Sequence, residues 1–435
     1  MPKMIIISAT PEETRMALAE DGKLMEYVVE RNSEQHLVGN IFKGKVKNVV
    51  RGIQAAFVDI GREQNAFLYL GEKSDVSEGQ SLLVQITKDA RGTKGPTAGR
   101  DLALPGRYVV LLPFSDYIGI SHKISSKEEK QRLKAIVAGI KPEGVGFVVR
   151  TLAEGVPEET LLADIRQLLA TWQVVNARAQ HGQAPLLLYR ELDLSVRIVR
   201  DYLTEQVDKI ILDDTVIYKR VCELLKDMGK SLPPKLVLHE SKDDVFAYYQ
   251  LNDQIAGISD RKVWLDCGGY IVIDYTEAMT VIDVNSGKFS GNRDLEDTVM
   301  QINRQAAKEI ARQLRLRDIG GIIVVDFIDM HSEANQNEIL AILNAALADD
   351  KMKPKVQDIT LLNLVEITRK KSRQNLSTVL YNTCPTCQGS GRVQSPETIS
   401  VEIRRRLRHL MTKRMAAKSI LVQVHPLVAD WFIKH

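Results

Sequence analysis

Two apolar runs in this chain each deliver an aspartate: "VIDVNSG" at residues 281–287 and "GGIIVVDFIDM" at 320–330. A bare carboxylate is costly to bury, so Asp283 and Asp326 together call for a positive partner. Between them, Val299, Ile302, Ala306, Ile310 and Leu314 lie three or four residues apart, which predicts an amphipathic helix. A right-handed strand–helix–strand crossover sets the two strands parallel in one sheet, about 4.8 Å apart if they are neighbours. Both carboxylates then project from the same sheet edge, where open α/β sheets bind ligands. Asn285 points the same way as Asp283 and can offer an amide oxygen or hold a ligand. Gly287 lets the chain turn afterwards. A set of oxygen ligands favours Mg²⁺ or Mn²⁺. Asp274 and Asp329 are weaker candidates, since alternation can aim them elsewhere. The bland alternative makes the two Asp residues strand-end caps or ion-paired core groups; their coincidence with Asn285 weighs against it. Carboxylate-held Mg²⁺ activates water and screens phosphate charge. No GxxxxGK[ST] loop is present, which argues against a P-loop NTPase. A metal-assisted phosphodiesterase fits these residues.

Other elements must bring a substrate there. "ETRMALAEDGKLMEYVVER" alternates about a turn at Asp21-Gly22 and predicts a hairpin. Residues 37–95 hold short strands split by glycines, which suggests a small β-barrel. Phe57 and Phe67 occupy strand positions there, with Lys43, Lys45, Lys47, Arg51 and Arg62 nearby. Aromatic platforms among basic side chains are how OB-type barrels stack single-stranded bases; the alternative places both rings in the core. Residues 88–101 read as a basic, Gly-rich loop, and 107–114 as a strand leading away. Residues 115–215 read as mixed α/β, with helices near 125–141, 157–180 and 191–206 and a strand at 144–151. From 216 to 380 the alternation of strands and helices argues for a sheet with parallel pairs. "DITLLNLVEITRK" reads as one strand, and "SILVQVHP" near the end as another.

Cys384 and Cys387 form CPTC followed by "QGSGR", which cannot start a stable helix, so a redox motif is disfavoured. Zinc wants four ligands, and no second Cys or His pair stands nearby. One ion shared by two chains, each giving two thiolates, makes the protein a dimer; a metal-free turn is the alternative. Lys+Arg is 59 against Asp+Glu 56, so any basic surface is local. The run "RRRLR" at 404–408 is one such feature. No apolar stretch approaches the roughly 20 residues of a membrane span. Isolated cysteines suit a reducing, cytoplasmic location.

The "DVNSG" strand, the "EIARQLRLRDIGGIIVVDFIDM" block and "CPTCQGSGRV" together resemble the bacterial ribonuclease E / ribonuclease G family, over essentially the whole chain. That resemblance implies a cytoplasmic Mg²⁺-dependent endoribonuclease acting on single-stranded RNA in rRNA and tRNA maturation and mRNA decay. It implies 5′-phosphate and 3′-hydroxyl products and a preference for 5′-monophosphorylated substrates. Asp283 and Asp326 would hold the metal with Asn285 beside them, Mn²⁺ being an alternative to Mg²⁺. Cys384 and Cys387 would share zinc across a homodimer or higher oligomer. Phe57, Phe67, Lys94, Arg369 and Arg373 would contact RNA, and Arg150, Thr151 and Gly119 would sense the 5′ phosphate. The implied architecture is α/β multidomain. An N-terminal hairpin (1–36) belongs to an RNase H-like subdomain and joins residues near 107–114, among others. An OB-fold RNA-binding domain of ribosomal S-one type (37–100) is inserted in that subdomain. The RNase H-like remainder with the 5′ sensor spans 101–215. A DNase I-like catalytic subdomain (216–380), a zinc link (381–395) and a small C-terminal domain (396–435) complete the chain. Family members run on beyond a "VHP" segment, so the small domain is expected to be incomplete. The competing reading is a zinc-dimerised, non-catalytic RNA-binding protein, which would use the barrel and basic helix but not the two aspartates.

Overall fold

The computed structural model describes residues 2–31, 37–71, 76–90, 94–203, 206–227, 235–241, 243–288, 295–360, 362–371, 376–412 and 420–434. The chain divides into two compact units, Met1–Leu376 and Ser377–His435.

Within the first unit, four sheets share the work. Strands Glu13–Glu20 and Lys23–Arg31 form the expected hairpin. Asp21 and Gly22 both take positive φ, 51° and 76°, as a tight turn matched to strand twist requires. Strand Lys3–Ala9 pairs with this hairpin on one side and, in parallel, with Lys209–Leu212 on the other. Lys235–Leu238 extends the same sheet, although its position in the chain had grouped it with the catalytic part. Strand Val109–Pro113 does not join this sheet. It pairs with Leu104–Pro105 and Val145–Val149 in a separate four-stranded sheet. Alternating Val109, Leu111, Phe147 and Val149 there bury against helices Lys127–Ile140 and Glu158–His181. Ser126 caps the first of these helices by accepting from the Glu129 N–H at 3.2 Å.

The barrel closes through five strands. Ile41–Val50 pairs with both Ala55–Asp59 and Ser81–Lys88, and Ala66–Tyr69 continues to Thr97–Gly99, which returns to Ser81–Lys88. The Gly-rich stretch read as pure loop therefore supplies the closing strand. A Cβ on Gly44 would come within 2.4 Å of a Val58 methyl, so the barrel wall needs glycine at that point.

The last sheet carries the two aspartates. Its elements in chain order are β1 (Lys262–Trp264), β2 (Tyr270–Tyr275), β3 (Met279–Asn285), α1 (Leu295–Leu316), β4 (Gly321–Asp326), α2 (Glu333–Leu347), β5 (Lys355–Ile359) and β6 (Leu364–Arg369). Strand order is β1-β2-β3-β4-β6-β5. Only β3 and β4 run parallel, joined by the α1 crossover; the other pairs are antiparallel. A sheet with parallel pairs was expected, and one such pair forms, the one that carries the two aspartates. The expected single strand at 358–370 is instead the β5–β6 turn plus β6, with Asn363 at φ 60°. One face is core: Ile271, Ile273, Ile282, Val284, Ile323 and Val325 pack against Ile302, Ala306, Ile310 and Leu314 of α1 and Leu343 of α2. The described residues of this unit leave the other face open, with Asp283 and Asp326 exposed on it.

In the second unit, helices Pro396–Thr412 and Pro426–Lys434 follow the CPTC turn. Arg404 lies over the rings of Trp431 and Phe432, 5.2 and 5.3 Å from their centroids. Residues 420–425 form no strand; Pro426 opens a helix in place of a continued strand. Among the described residues no helix is long and apolar enough to cross a membrane.

Candidate active site

Asp283 and Asp326 are direct partners in the β3–β4 ladder. Neighbours in a parallel ladder point to the same face, and both are exposed on the open face. The strand pattern explains this: Ile282, Val284 and Val325 turn inward, so the residues between them turn outward. Asn285 donates its amide N–H to an Asp283 carboxylate oxygen at 2.8 Å, which fixes that carboxylate and leaves its other oxygen to a ligand. Partial burial raises the Asp326 pKa above the usual carboxylate value, and the charges of Asp283 and Asp329 push it further. Among the described residues no cation is paired with this carboxylate pair, and its donor atoms are all oxygen. That is the donor set of a hard divalent cation. Gly287 sits at φ 61° and a Cβ there would reach 2.5 Å from the Gly268 carbonyl, so the sharp exit from β3 requires glycine.

Two supporting residues escaped the sequence. Asn303 on α1 is fully buried. It donates to the Ile328 carbonyl at 2.8 Å and accepts from the Ile328 N–H at 3.2 Å, pinning the segment that leaves Asp326. The available signal was an asparagine next to the apolar stripe of α1. Asn363 donates to Asp329 at 3.2 Å. Asp274 is held by the Arg261 guanidinium at 2.5 and 2.7 Å and stands apart from the pair.

Phe57 and Phe67 are cross-strand partners with ring centroids 6.0 Å apart at 75°. They alternate with buried Ala56, Val58, Ala66 and Leu68, so they face outward. Tyr69, which the sequence reading passed over, continues the outward stripe at 62% exposure. Lys94 is exposed. Lys43 is occupied elsewhere, donating to the Ala179 and Gly182 carbonyls. Arg369 does not present itself to RNA. Its side chain is 4% exposed and bound to Asp350 at 2.7 Å and Asp318 at 2.8 Å, because its place in β6 aims it at the core face. Arg373 lies outside the described residues.

Gly119 pairs with Val148, two residues before Arg150 and three before Thr151. Ser121 and Thr151 hydroxyls meet at 2.7 Å. A Cβ on Gly119 would lie 2.6 Å from the Tyr117 ring. Arg150 donates twice to Asp201 at 2.9 Å and once to the Gly106 carbonyl at 2.7 Å. Burial alone would raise the Asp201 pKa, but hydrogen bonds and charge from Arg200, with Arg150 adding to them, bring it below the ordinary value.

In the CPTC turn, the backbone N–H groups of Cys387 and then Thr386 point at Cys384 and lower its thiol pKa. The Gln388 N–H returns to the Cys384 carbonyl at 2.8 Å, and Gly389 takes φ 88°. A turned pair of thiols, with Cys384 biased toward thiolate, suits a soft metal. Among the described residues no three or more His, Cys, Asp or Glu side chains gather into a metal group, so this turn offers two ligands, not four.

The Ribonuclease E/G family model matches residues 103–372. The chain is 40% identical to Ribonuclease G of Escherichia coli (strain K12), covering 99% of this chain and 92% of that protein. It is 39% identical to Ribonuclease G of Haemophilus influenzae over 99% of this chain and 91% of that protein. Ribonuclease E of a Nostoc species is 40% identical over 90% of this chain, which spans 59% of that longer protein. The outward carboxylate pair thus sits within the stretch that the family model covers, and the chain belongs to the ribonuclease E/G family.

Proposed function

We propose that this ribonuclease cuts single-stranded RNA internally at a divalent cation, Mg²⁺ or Mn²⁺, held by Asp283 and Asp326. The observation that carries this reading is the register of the two carboxylates on the open sheet face, with Asn285 bonded to one of them. When bound, such a cation supplies an activated water and screens charge on the phosphate oxygens. Asn285 keeps the Asp283 carboxylate in one orientation, and Asn303 holds the backbone beyond Asp326, so the ligand oxygens are positioned before substrate arrives. Attack in line with the departing 3′ oxygen breaks the P–O3′ bond; the water's proton ends on that oxygen. The products are a 3′-hydroxyl and a 5′-phosphate.

Phe57, Phe67 and Lys94 on the barrel, read as the S-one type OB domain, receive the strand. Arg150, Thr151 and Gly119 read a 5′ monophosphate. The Arg150 guanidinium is anchored by Asp201, which fixes its fork for bidentate phosphate recognition. The five-stranded N-terminal sheet stands as the RNase H-like part and the β1–β6 sheet as the DNase I-like part. Cys384 and Cys387 contribute half of a zinc site completed by a second copy. The processing of ribosomal, transfer and messenger RNA in the cytoplasm is the corresponding role. A binding-only protein has no use for two aligned, unneutralised carboxylates, which favours catalysis over that reading.

The test is cleavage of a short fluorescent single-stranded RNA by purified protein. Asp283→Asn should lower the rate by about 10²-fold or more, and a chelator should stop the wild-type enzyme. An Asp283→Asn variant that cuts at the wild-type rate refutes the metal reading.

A further inference from the structure

We infer that Trp264, Tyr270 and Lys262 form a stacking seat for a base of the RNA beside the scissile phosphate. The inference rests on the reading of Asp283 and Asp326 as the cleavage site and adds a substrate-positioning subsite to it.

The sheet register supplies the address. Tyr270 on β2 is the cross-strand partner of Asn285, and Trp264 on β1 is the partner of Tyr270. Lys262, Val272, Asp283 and Asp326 form the next row across the same four strands. At about 4.8 Å per strand, the Lys262 and Trp264 backbones stand roughly 10 Å from that of the Asp283–Asn285 strand. All these side chains share the open face, since Val263 and Ile271 between them pack into the core. The space between is bridged by Tyr270, whose ring edge lies where a Cβ on Gly287 would meet it at 3.2 Å. Tyr270 therefore borders Gly287, just past the end of the strand that carries Asp283.

The local chemistry suits a nucleobase. Trp264 and Tyr270 meet edge to face, centroids 5.3 Å apart at 64°. The Lys262 ammonium lies 3.9 Å from the Trp264 centroid and 3.5 Å from the Tyr270 centroid. A lysine on an edge strand is commonly a guard against strand addition, but this one is folded over two rings. That contact holds the indole in one orientation and places a positive charge where the RNA backbone must approach. Trp264 remains 56% exposed, so ample ring surface is open to a base. Base–aromatic stacking is tolerant of base identity, as an enzyme acting on varied single strands needs. The seat lies on a different sheet from the Phe57–Phe67 platform, so it orients the strand at the reacting bond instead of gathering it at the barrel.

Binding is measured in the Asp283→Asn background with chelator present, by anisotropy of a labelled single-stranded oligonucleotide, and cleavage in the wild-type background. Trp264→Ala should weaken binding about tenfold, and Trp264→Phe should recover most of it. Moving a single abasic nucleotide along the oligonucleotide should find one position, adjacent to the cut, that costs the parent protein a similar factor and costs Trp264→Ala nothing further. Equal affinity of parent and Trp264→Ala, or an abasic penalty that is the same in both at every position, overturns the seat. If Asp283→Asn still cuts RNA, the metal reading falls, while the affinity and abasic measurements decide the stacking seat independently.

Discussion

Replacing Asp326 by asparagine should make the metal-free protein more stable while removing its activity. Asp283 and Asp326 are ladder partners, so their backbones are about 4.8 Å apart. Two like charges near that distance repel by about 1 kcal/mol when water screens them, as at this exposed face. An asparagine side chain is close in size to that of aspartate and carries no charge, so most of that repulsion should disappear. For a unit of this size about 1 kcal/mol raises the melting temperature by roughly 2 °C. The pH dependence has a definite sign. Burial and the neighbouring carboxylates raise the folded-state pKa of Asp326. The folded form therefore holds this proton more tightly than the unfolded chain does. The wild-type penalty is absent below the unfolded value near 4 and grows as pH rises through the folded pKa. The advantage of Asp326→Asn should be full at neutral pH and vanish in mild acid. Salt should shrink it as well, since screening reaches about 3 Å at 1 M. Saturating Mg²⁺ should reverse the order, because a ligand at a hundred times its dissociation constant adds about 2.7 kcal/mol to wild type alone. Thermal scanning at low salt, with chelator and then with Mg²⁺, reads all of this. A variant less stable than wild type without metal, or one that keeps the full Mg²⁺ shift, would show that the two carboxylates do not form one cation site.

Three further outcomes test other parts of the reading. Arg150→Ala should abolish the preference for 5′-monophosphate over 5′-triphosphate RNA without unfolding the protein, since Arg200 still holds Asp201; an unchanged rate ratio sinks the sensor assignment. Cys384→Ser together with Cys387→Ser should give monomers by light scattering, and metal-free dimers that persist in this variant contradict the shared ion. Arg369→Ala strips a buried Asp350, 2% exposed, of its partner and should cost about 3–5 kcal/mol by denaturant titration. The same variant, where folded, should bind RNA as wild type does; a lowered salt dependence of binding would restore Arg369 to the RNA surface.

The sequence by itself determined what depends on local periodicity and on chirality. The 3.6-residue spacing of Val299 through Leu314 specified α1, the Asp-Gly pair specified the N-terminal hairpin turn, and the right-handed crossover made β3 and β4 parallel. Together these placed Asp283 and Asp326 side by side before any coordinates. Tertiary structure decided whatever depends on partners distant along the chain. Thr97–Gly99 is three residues long and shows no periodicity, so only barrel closure makes it a strand. Arg369 reads as a free basic side chain until β6 finds its register against β4 and turns it toward Asp318 and Asp350. Asp201 gives no local sign that it anchors Arg150, 51 residues earlier. Trp264 stands on a three-residue edge strand, and only the β1–β2–β3 pairing carries it to the margin of the carboxylate pair. A linear sequence encodes the rhythm of each element, but ion pairing and shared faces arise from register between elements, which folding sets.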